Sequence, residues 1–349
     1  MTRKEALAGV GVLATAAWGL GNLSPARAAT ALTGAGSTFD YPFFSKAFYE
    51  YSQDHPDVTI NYQGIGSGGG IAQFTAKTVD FGATDVPMNA TEVAKAEAAG
   101  GPVIQVPVAL GGVAISYDLP GVVGGGLRLS PEVLAAIFLG KISSWDDAAI
   151  KKLNPSADLP SIPIVVVHRS DGSGTTYIFT DYLSHVSPEW KSSVGTGKSV
   201  QWPAPSSIGG KGNEGVAGAI RQTPGAIGYV ELAYVLENSM TQAMLENRAG
   251  EFLFCTTAHV AAAAASKPEV TATNFSIVDS PAQGAWPISG YSWAIVYAQP
   301  SDPARGKAVH DVLDWVVTKG QEIAGGLDYV PLPANVAALA SKGLSEMKV

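Results

Sequence analysis

Eight residues, 169-RSDGSGTT-176, set one arginine and one aspartate at the mouth of a turn made of hydroxyls and glycines. The turn follows the apolar run 162-IPIVVV-167 and precedes 177-YIFTDYL-183, so a strand runs through it into a helix. A helix start exposes unpaired backbone N–H groups and the positive end of the helix dipole. Glycine lets a ligand approach that backbone closely, a hydroxyl adds a donor, and arginine offers a planar fork suited to oxyanions. The chemistry these residue types share is the holding of an anion.

Two further turns have the same make-up. The stretch 34-GAGST-38 leads into a helix whose Phe43, Phe44, Ala47, Phe48 and Tyr51 recur at helical spacing. The stretch 64-GIGSGGG-70 follows the alternating strand Val58, Ile60, Tyr62 and precedes a short helix expected from about Ile71. Each turn alone is no more than an N-cap and a bend. Three of them, one carrying Arg169, point to an anion seat. Asp85, in the polar turn that ends 79-VDFGATDVP-87, is on its own a strand-end aspartate.

Other chemistries fit poorly. Gly64, Gly66 and Gly69 satisfy G-x-G-x-x-G, but the helix that follows is short and such a match is weakly specific among 40 glycines. Gly210-Lys211 is followed by glycine where a phosphate-binding P-loop needs Ser or Thr. Ile65 and Asp171 stand two residues before Ser67 and Ser173, so neither serine sits in a G-x-S-x-G elbow. His55, His168, His185, His259 and His310 make no metal-ligand spacing, and no metal or cofactor is expected.

The elements that position these turns alternate strand and helix, which predicts an α/β protein with largely parallel sheets. Ser130 and Pro131 open a helix as N-cap and first turn, and Val309, Val312, Leu313 and Val316 mark one face of a later one. The run 104–117 reads as a long extended stretch with a glycine break, and 258–270 as an alanine-rich helix. No fixed-period repeat and no long linker divides the chain.

Residues 1–28 have the plan of a secretory signal peptide: Arg3 and Lys4, the apolar run 6–20, and the small-residue site Ala26-Arg27-Ala28. Their removal takes three cations (Arg3, Lys4, Arg27) and one anion (Glu5), moving the net charge from −8 to −10. An acidic exported protein is a poor partner for nucleic acid or an anionic membrane. Any anion must be held by local geometry. Cys255 is the one cysteine, which excludes an intrachain disulfide, and its flank 252-FLF-254 predicts a buried thiol.

The runs 34-GAGSTF-39, 61-NYQGIGSGGG-70, 78-TVDFGATDVP-87, 139-LGKISSWDD-147, 169-RSDGSGT-175, 209-GGKGNEG-215, 225-GAIGYVELAY-234 and 285-AWPI-288 resemble those of one family. It comprises the periplasmic phosphate-binding proteins of bacterial phosphate-specific ABC transporters, and the similarity covers nearly all of the chain after residue 28. The resemblance implies a two-lobed periplasmic-binding-protein fold with two hinge crossings and inorganic phosphate in the cleft between the lobes. Lobe I is expected over 29–105 plus about 285–349, and lobe II over about 106–284. It further implies that Thr38, Phe39 and Ser67 donate to phosphate and that Asp85 accepts the ligand's proton. Arg169, Ser173, Gly174 and Thr175 would form the opposing wall, with Asp171 pairing the arginine. It departs from the pattern at Asp40 and Tyr41, where some relatives have Pro and Ala, and at Gly68, where some have a second serine. The implied protein is a monomeric, non-enzymatic periplasmic receptor serving a membrane permease. An exported phosphatase using the same cradle, and a phosphate-binding surface protein without a transport partner, stay open on the sequence.

Overall fold

A computed structural model describes residues 30–122 and 126–349; the expected signal peptide lies outside the described residues. The strands are β1 Thr30–Gly36, β2 Val58–Gly64, β3 Phe81–Thr84, β4 Val103–Tyr117, β5 Arg128–Leu129, β6 Val165–Arg169, β7 Ser207–Gly210, β8 Ala226–Glu231, β9 Met244–Glu246, β10 Phe252–Leu253 and β11 Ser289–Tyr297. The helices are α1 Tyr41–Asp54, α2 Ser67–Thr75, α3 Ala90–Gly100, α4 Pro131–Phe138, α5 Ala148–Leu153, α6 Gly174–Val186, α7 Pro188–Ser193, α8 Gly212–Gln222, α9 Leu232–Glu237, α10 Thr257–Ala265, α11 Pro303–Val317 and α12 Ala334–Leu344, with a 3-10 helix over Lys319–Leu327.

Eight strands form one sheet in the order β2-β1-β3-β11-β4-β8-β6-β7, and β10-β9-β5 form a small second one. Both flanks of the large sheet are parallel, β2-β1-β3 on one side and β8-β6-β7 on the other. Between them β11 and β4 run antiparallel to their neighbours. The expected parallel character thus holds for each flank and fails at the centre. There β4 pairs with β11 through Val103–Gly112 and with β8 through Val113–Tyr117, so one strand belongs to both flanks. Parallel strands deliver their following loops to one edge. Here the C-terminal ends of β1, β2 and β3 face those of β6 and β7 across the seam.

Local sequence explains the elements on either side. Helix α1 carries proline in its first turn and buries Phe43, Phe44, Ala47, Phe48 and Tyr51 against the sheet. Each of those rings is worth roughly 2–3 kcal/mol of burial. Asn89 and Glu92 close a reciprocal capping box on α3, and Ser130 caps α4 as its sequence predicts. The alanine-rich stretch is helical only to Ala265, short of the expected 270.

Two expectations are corrected. Strand β4 runs unbroken through Gly111 and Gly112. A Cβ at Gly111 would lie 2.8 Å from the Phe39 ring, and one at Gly112 would lie 2.4 Å from Cys255 Sγ. These glycines make room for neighbours in a continuous strand. Helix α2 begins at Ser67, not near Ile71, so the three glycines that read as turn follow Ser67 within its first turn. Tertiary packing overrides their low helix propensity: a Cβ at Gly70 would sit 2.4 Å from Gly36 Cα. The Cys255 thiol is buried, and burial pushes its pKa up.

Candidate functional site in the interlobe seam

The structure brings the predicted turns into one buried cluster. Thr38 and Phe39 follow β1, Ser67 opens α2, Asp85 follows β3, Arg169 ends β6, and Ser173, Gly174 and Thr175 start α6. All eight are buried. The N-termini of α2 and α6 meet directly. Gly68 N donates to Gly172 O at 2.8 Å, and Gly174 N donates to Ser67 Oγ at 3.0 Å. A Cβ at Gly174 would fall 2.5 Å from Asp85 Cβ, so glycine sets how closely the two jaws approach.

The α6 jaw carries the positive charge and its counter-ion. Arg169 Nε and Nη2 fork onto Asp171 at 2.8 and 2.5 Å. Asp171 also accepts from Gly212 N at 3.1 Å. Burial would raise the Asp171 pKa, but the Arg169 hydrogen bonds and charge outweigh it and hold the carboxyl below its ordinary value. The Arg169 backbone N–H donates to Tyr229 OH at 3.0 Å, which fixes the end of β6. Ser173 Oγ accepts from Thr176 N at 3.0 Å and caps α6.

Three hydroxyls in the seam receive protein donors, and two of them, on Thr38 and Thr175, donate to no acceptor among the described residues. Thr38 Oγ1 accepts from Asn213 N and Nδ2, both at 3.1 Å. Thr175 Oγ1 accepts from Arg169 Nη1 and Asn213 Nδ2, both at 3.3 Å. Ser67 Oγ accepts from Gly174 N and from Asp85 N at 3.2 Å, and donates to Asp85 Oδ2 only at the long distance of 3.5 Å. Phe39 differs, because its N–H is already bonded to Ser37 Oγ at 2.8 Å.

The opposite jaw carries negative charge. Asp85 Oδ1 accepts from Ser37 and from Ser292 Oγ, the latter at 2.9 Å. Burial pushes its carboxyl up to about 6, even though Ser37, Ser292, Arg169 and Ser67 all favour the anion. Asp40 stands beside it, with Oδ2 2.6 Å from Ser292 Oγ and Oδ1 3.1 Å from Tyr62 OH. Burial first, and the Asp85 charge second, hold Asp40 well above the usual carboxylate range.

Sequence reasoning missed Ser37, Asp40, Ser292 and Asn213. Ser292 lies on β11, more than 200 positions from both carboxylates it touches. Asn213 lies in the 209–215 run, which carried the resemblance but no assigned role. Asp40 entered only as a departure from the family pattern. Among the described residues, no group of three or more His, Cys, Asp or Glu could hold a metal ion.

Two parallel flanks joined through β4 and β11, with helix N-termini meeting across the seam, define a two-lobed solute-binding protein. A model of the PBP superfamily domain matches residues 23–319. The phosphate-binding protein PstS of Xylella fastidiosa is 47% identical over 310 residues, covering 87% of this chain and 82% of that one. The protein of the same name from Methanocaldococcus jannaschii is 40% identical over 333 residues, covering 90% and 85%. A solved phosphate-binding protein from Stenotrophomonas maltophilia superposes with a TM-score of 0.70 at 19% identity, covering 90% of this chain and 94% of that one, and speaks to the fold. The chain belongs to the PBP superfamily and, within it, to the family of PstS phosphate-binding proteins.

Proposed function

We propose that this protein binds inorganic phosphate in the seam between its lobes, outside the cytoplasmic membrane, and delivers it to the permease of a phosphate ABC transporter. The observation that carries the reading is the meeting of two helix N-termini between Arg169 on one jaw and a buried carboxylate, Asp85, on the other. Thr38, Ser67 and Thr175 supply hydroxyl protons, Phe39, Ser173 and Gly174 complete the walls, and Arg169 supplies the positive charge. Asp171 orients Arg169 and offsets part of its charge. A site of this kind suits a receptor that holds and releases its ligand unchanged, and no turnover is expected.

Phosphate near neutral pH carries at least one proton, and sulfate carries none. With its pKa near 6, Asp85 is mostly ionised at pH 7 and accepts that proton in a hydrogen bond. Against sulfate it would face a bare oxygen, two acceptors with like charge. The pH sense follows: below about 6 Asp85 gains a proton, and rejection of sulfate weakens.

The change of partner along β4 at Gly112/Val113, and the start of β11 at Ser289, support two chain crossings. Lobe I then holds the β2-β1-β3 flank with the C-terminal helices, and lobe II holds the β8-β6-β7 flank. We read residues 1–28 as a cleaved export signal and the mature protein as a periplasmic monomer. No described helix is long and apolar enough to cross a membrane.

The test is calorimetry on residues 29–349 stripped of ligand, with phosphate, sulfate and Asp85→Asn. Phosphate should bind tightly, sulfate should bind about 10⁴-fold more weakly or worse, and the variant should gain sulfate binding. Absence of heat with phosphate would remove the reading.

A further inference from the structure

The carboxylate jaw has more close oxygen contacts than its hydroxyls can fill. Five contacts of 3.1 Å or shorter join Ser37 to Asp85, Ser292 to Asp85, Ser292 to Asp40, Tyr62 to Asp40, and Tyr62 to the Ser37 carbonyl, while Ser67 to Asp85 and Ser292 to the Thr84 carbonyl are longer, at 3.5 Å. The three hydroxyls bring one proton each. The Ser37 carbonyl can only accept, so the Tyr62 proton goes there, at 2.8 Å. The Ser37 proton goes to Asp85 Oδ1. Ser292 then has one proton for two carboxylates, at 2.9 Å from Asp85 and 2.6 Å from Asp40. Both contacts are hydrogen bonds only if one carboxyl brings its own proton.

The surroundings say which. Arg169 favours the anion at Asp85, whereas Asp40 is fully buried with the Asp85 charge beside it. Tyr62, Tyr234 and Tyr329 also face Asp40, and burial keeps all three phenols protonated. Asp40 occupies the N-cap position of α1, where the dipole favours an anion. Its side chain, however, makes no cap hydrogen bond to the helix, so that influence lacks a direct contact.

We propose that Asp40 is a neutral carboxylic acid in the folded protein at neutral pH and acts as a positioning residue, donating to Ser292 Oγ so that Ser292 donates to Asp85 Oδ1 and Asp85 remains an ionised acceptor. Its effect on ligand rests on the phosphate reading above; its protonation does not. When Asp40 ionises, it takes the Ser292 proton and puts a second negative charge beside Asp85. Phosphate affinity then falls on the alkaline side.

The experiment pairs infrared spectroscopy with calorimetry on the mature chain, comparing wild type, Asp40→Asn and Asp40→Val. At pH 7 the wild type should show the carbonyl band of a protonated carboxyl that Asp40→Asn lacks. The variant is needed for assignment, because Glu231 is also a buried carboxyl. Asp40→Val, with no donor to Ser292, should weaken inorganic phosphate about tenfold or more. Asp40→Asn keeps a donor and cannot ionise, so it should restore most of that loss and show a shallower decline of affinity from pH 6 to pH 9. A wild-type protein that binds phosphate but shows no Asp40-dependent band overturns the proposal. So does an Asp40→Asn decline parallel to that of wild type. Failure of the wild type to bind phosphate would sink the functional reading instead, and the band alone would then decide where the proton lies.

Discussion

The two jaws meet the same space with opposite electrostatic designs. On the α6 side one charge is already matched: Arg169 forks onto Asp171, and Gly212 N helps hold the acid ionised. On the α2 side, Asp40 and Asp85 share Ser292 with no cation bonded to either among the described residues, and burial raises the pKa of both above the ordinary range. A compensated pair gives a rigid, pH-insensitive donor. An uncompensated buried acid gives an acceptor whose charge depends on its neighbours. On the proposed phosphate reading, attraction for the anion sits on one jaw and discrimination among anions on the other, and local geometry, not the net charge of −8, holds the ligand.

The comparison breaks most severely if the compensated jaw loses its cation. Arg169→Met leaves Asp171 short of its partner and removes the donor to Thr175 Oγ1. Losing one member of a buried charge pair costs about 2–5 kcal/mol, or about 30-fold to 4,000-fold in phosphate affinity. Calorimetry reads this directly. A change under threefold would mean that the helix ends alone hold the ligand.

The distance between the jaws is the next lever. In Gly174→Ala the new methyl would lie 2.5–2.7 Å from Asp85 Cβ, Oδ2 and N. Overpacking of this kind costs about 1–3 kcal/mol, so phosphate should weaken about 5-fold to 150-fold. Small-angle scattering with saturating phosphate should show a more open protein than wild type. Unchanged affinity and shape would mean that the seam is wider in solution.

How much of this division could be read from the sequence follows from its physics. Turns announce themselves locally, so residues 34–38, 64–70 and 169–176 were legible as hydroxyl-and-glycine turns, and helix faces such as Phe43 to Tyr51 were legible from their period. The α6 jaw lies almost wholly within one such turn, and its ion pair joins residues two apart. The α2 jaw does not. Its acids and serines come from β1, the start of α1, the end of β3 and β11, and are joined only by the fold. Strand β11 is buried along nearly its whole length, so no alternation singles out Ser292. Asp40 stands at the start of α1 without a side-chain cap hydrogen bond, so nothing local marks it as a neighbour of Asp85. The glycines of α2 hid a helix because their reason, the close approach to β1, is tertiary.

The smallest effect separates the seam from its rim. Lys198 Nζ meets Glu92 Oε1 at 2.5 Å, joining the two sides at the cleft edge with both side chains partly exposed. If buried contacts between the jaws govern closure, this pair contributes what partly exposed pairs usually do, about 0.2–1 kcal/mol. Lys198→Ala should then weaken phosphate by about fivefold at most. The loss should shrink further in high salt, because the Debye length falls to about 3 Å at 1 M. The Arg169→Met loss should hold in the same salt series, since its contacts lie inside the protein. A Lys198→Ala loss as large as that of Arg169→Met, and equally indifferent to salt, would place control of closure at the rim and reverse the ranking of the two regions.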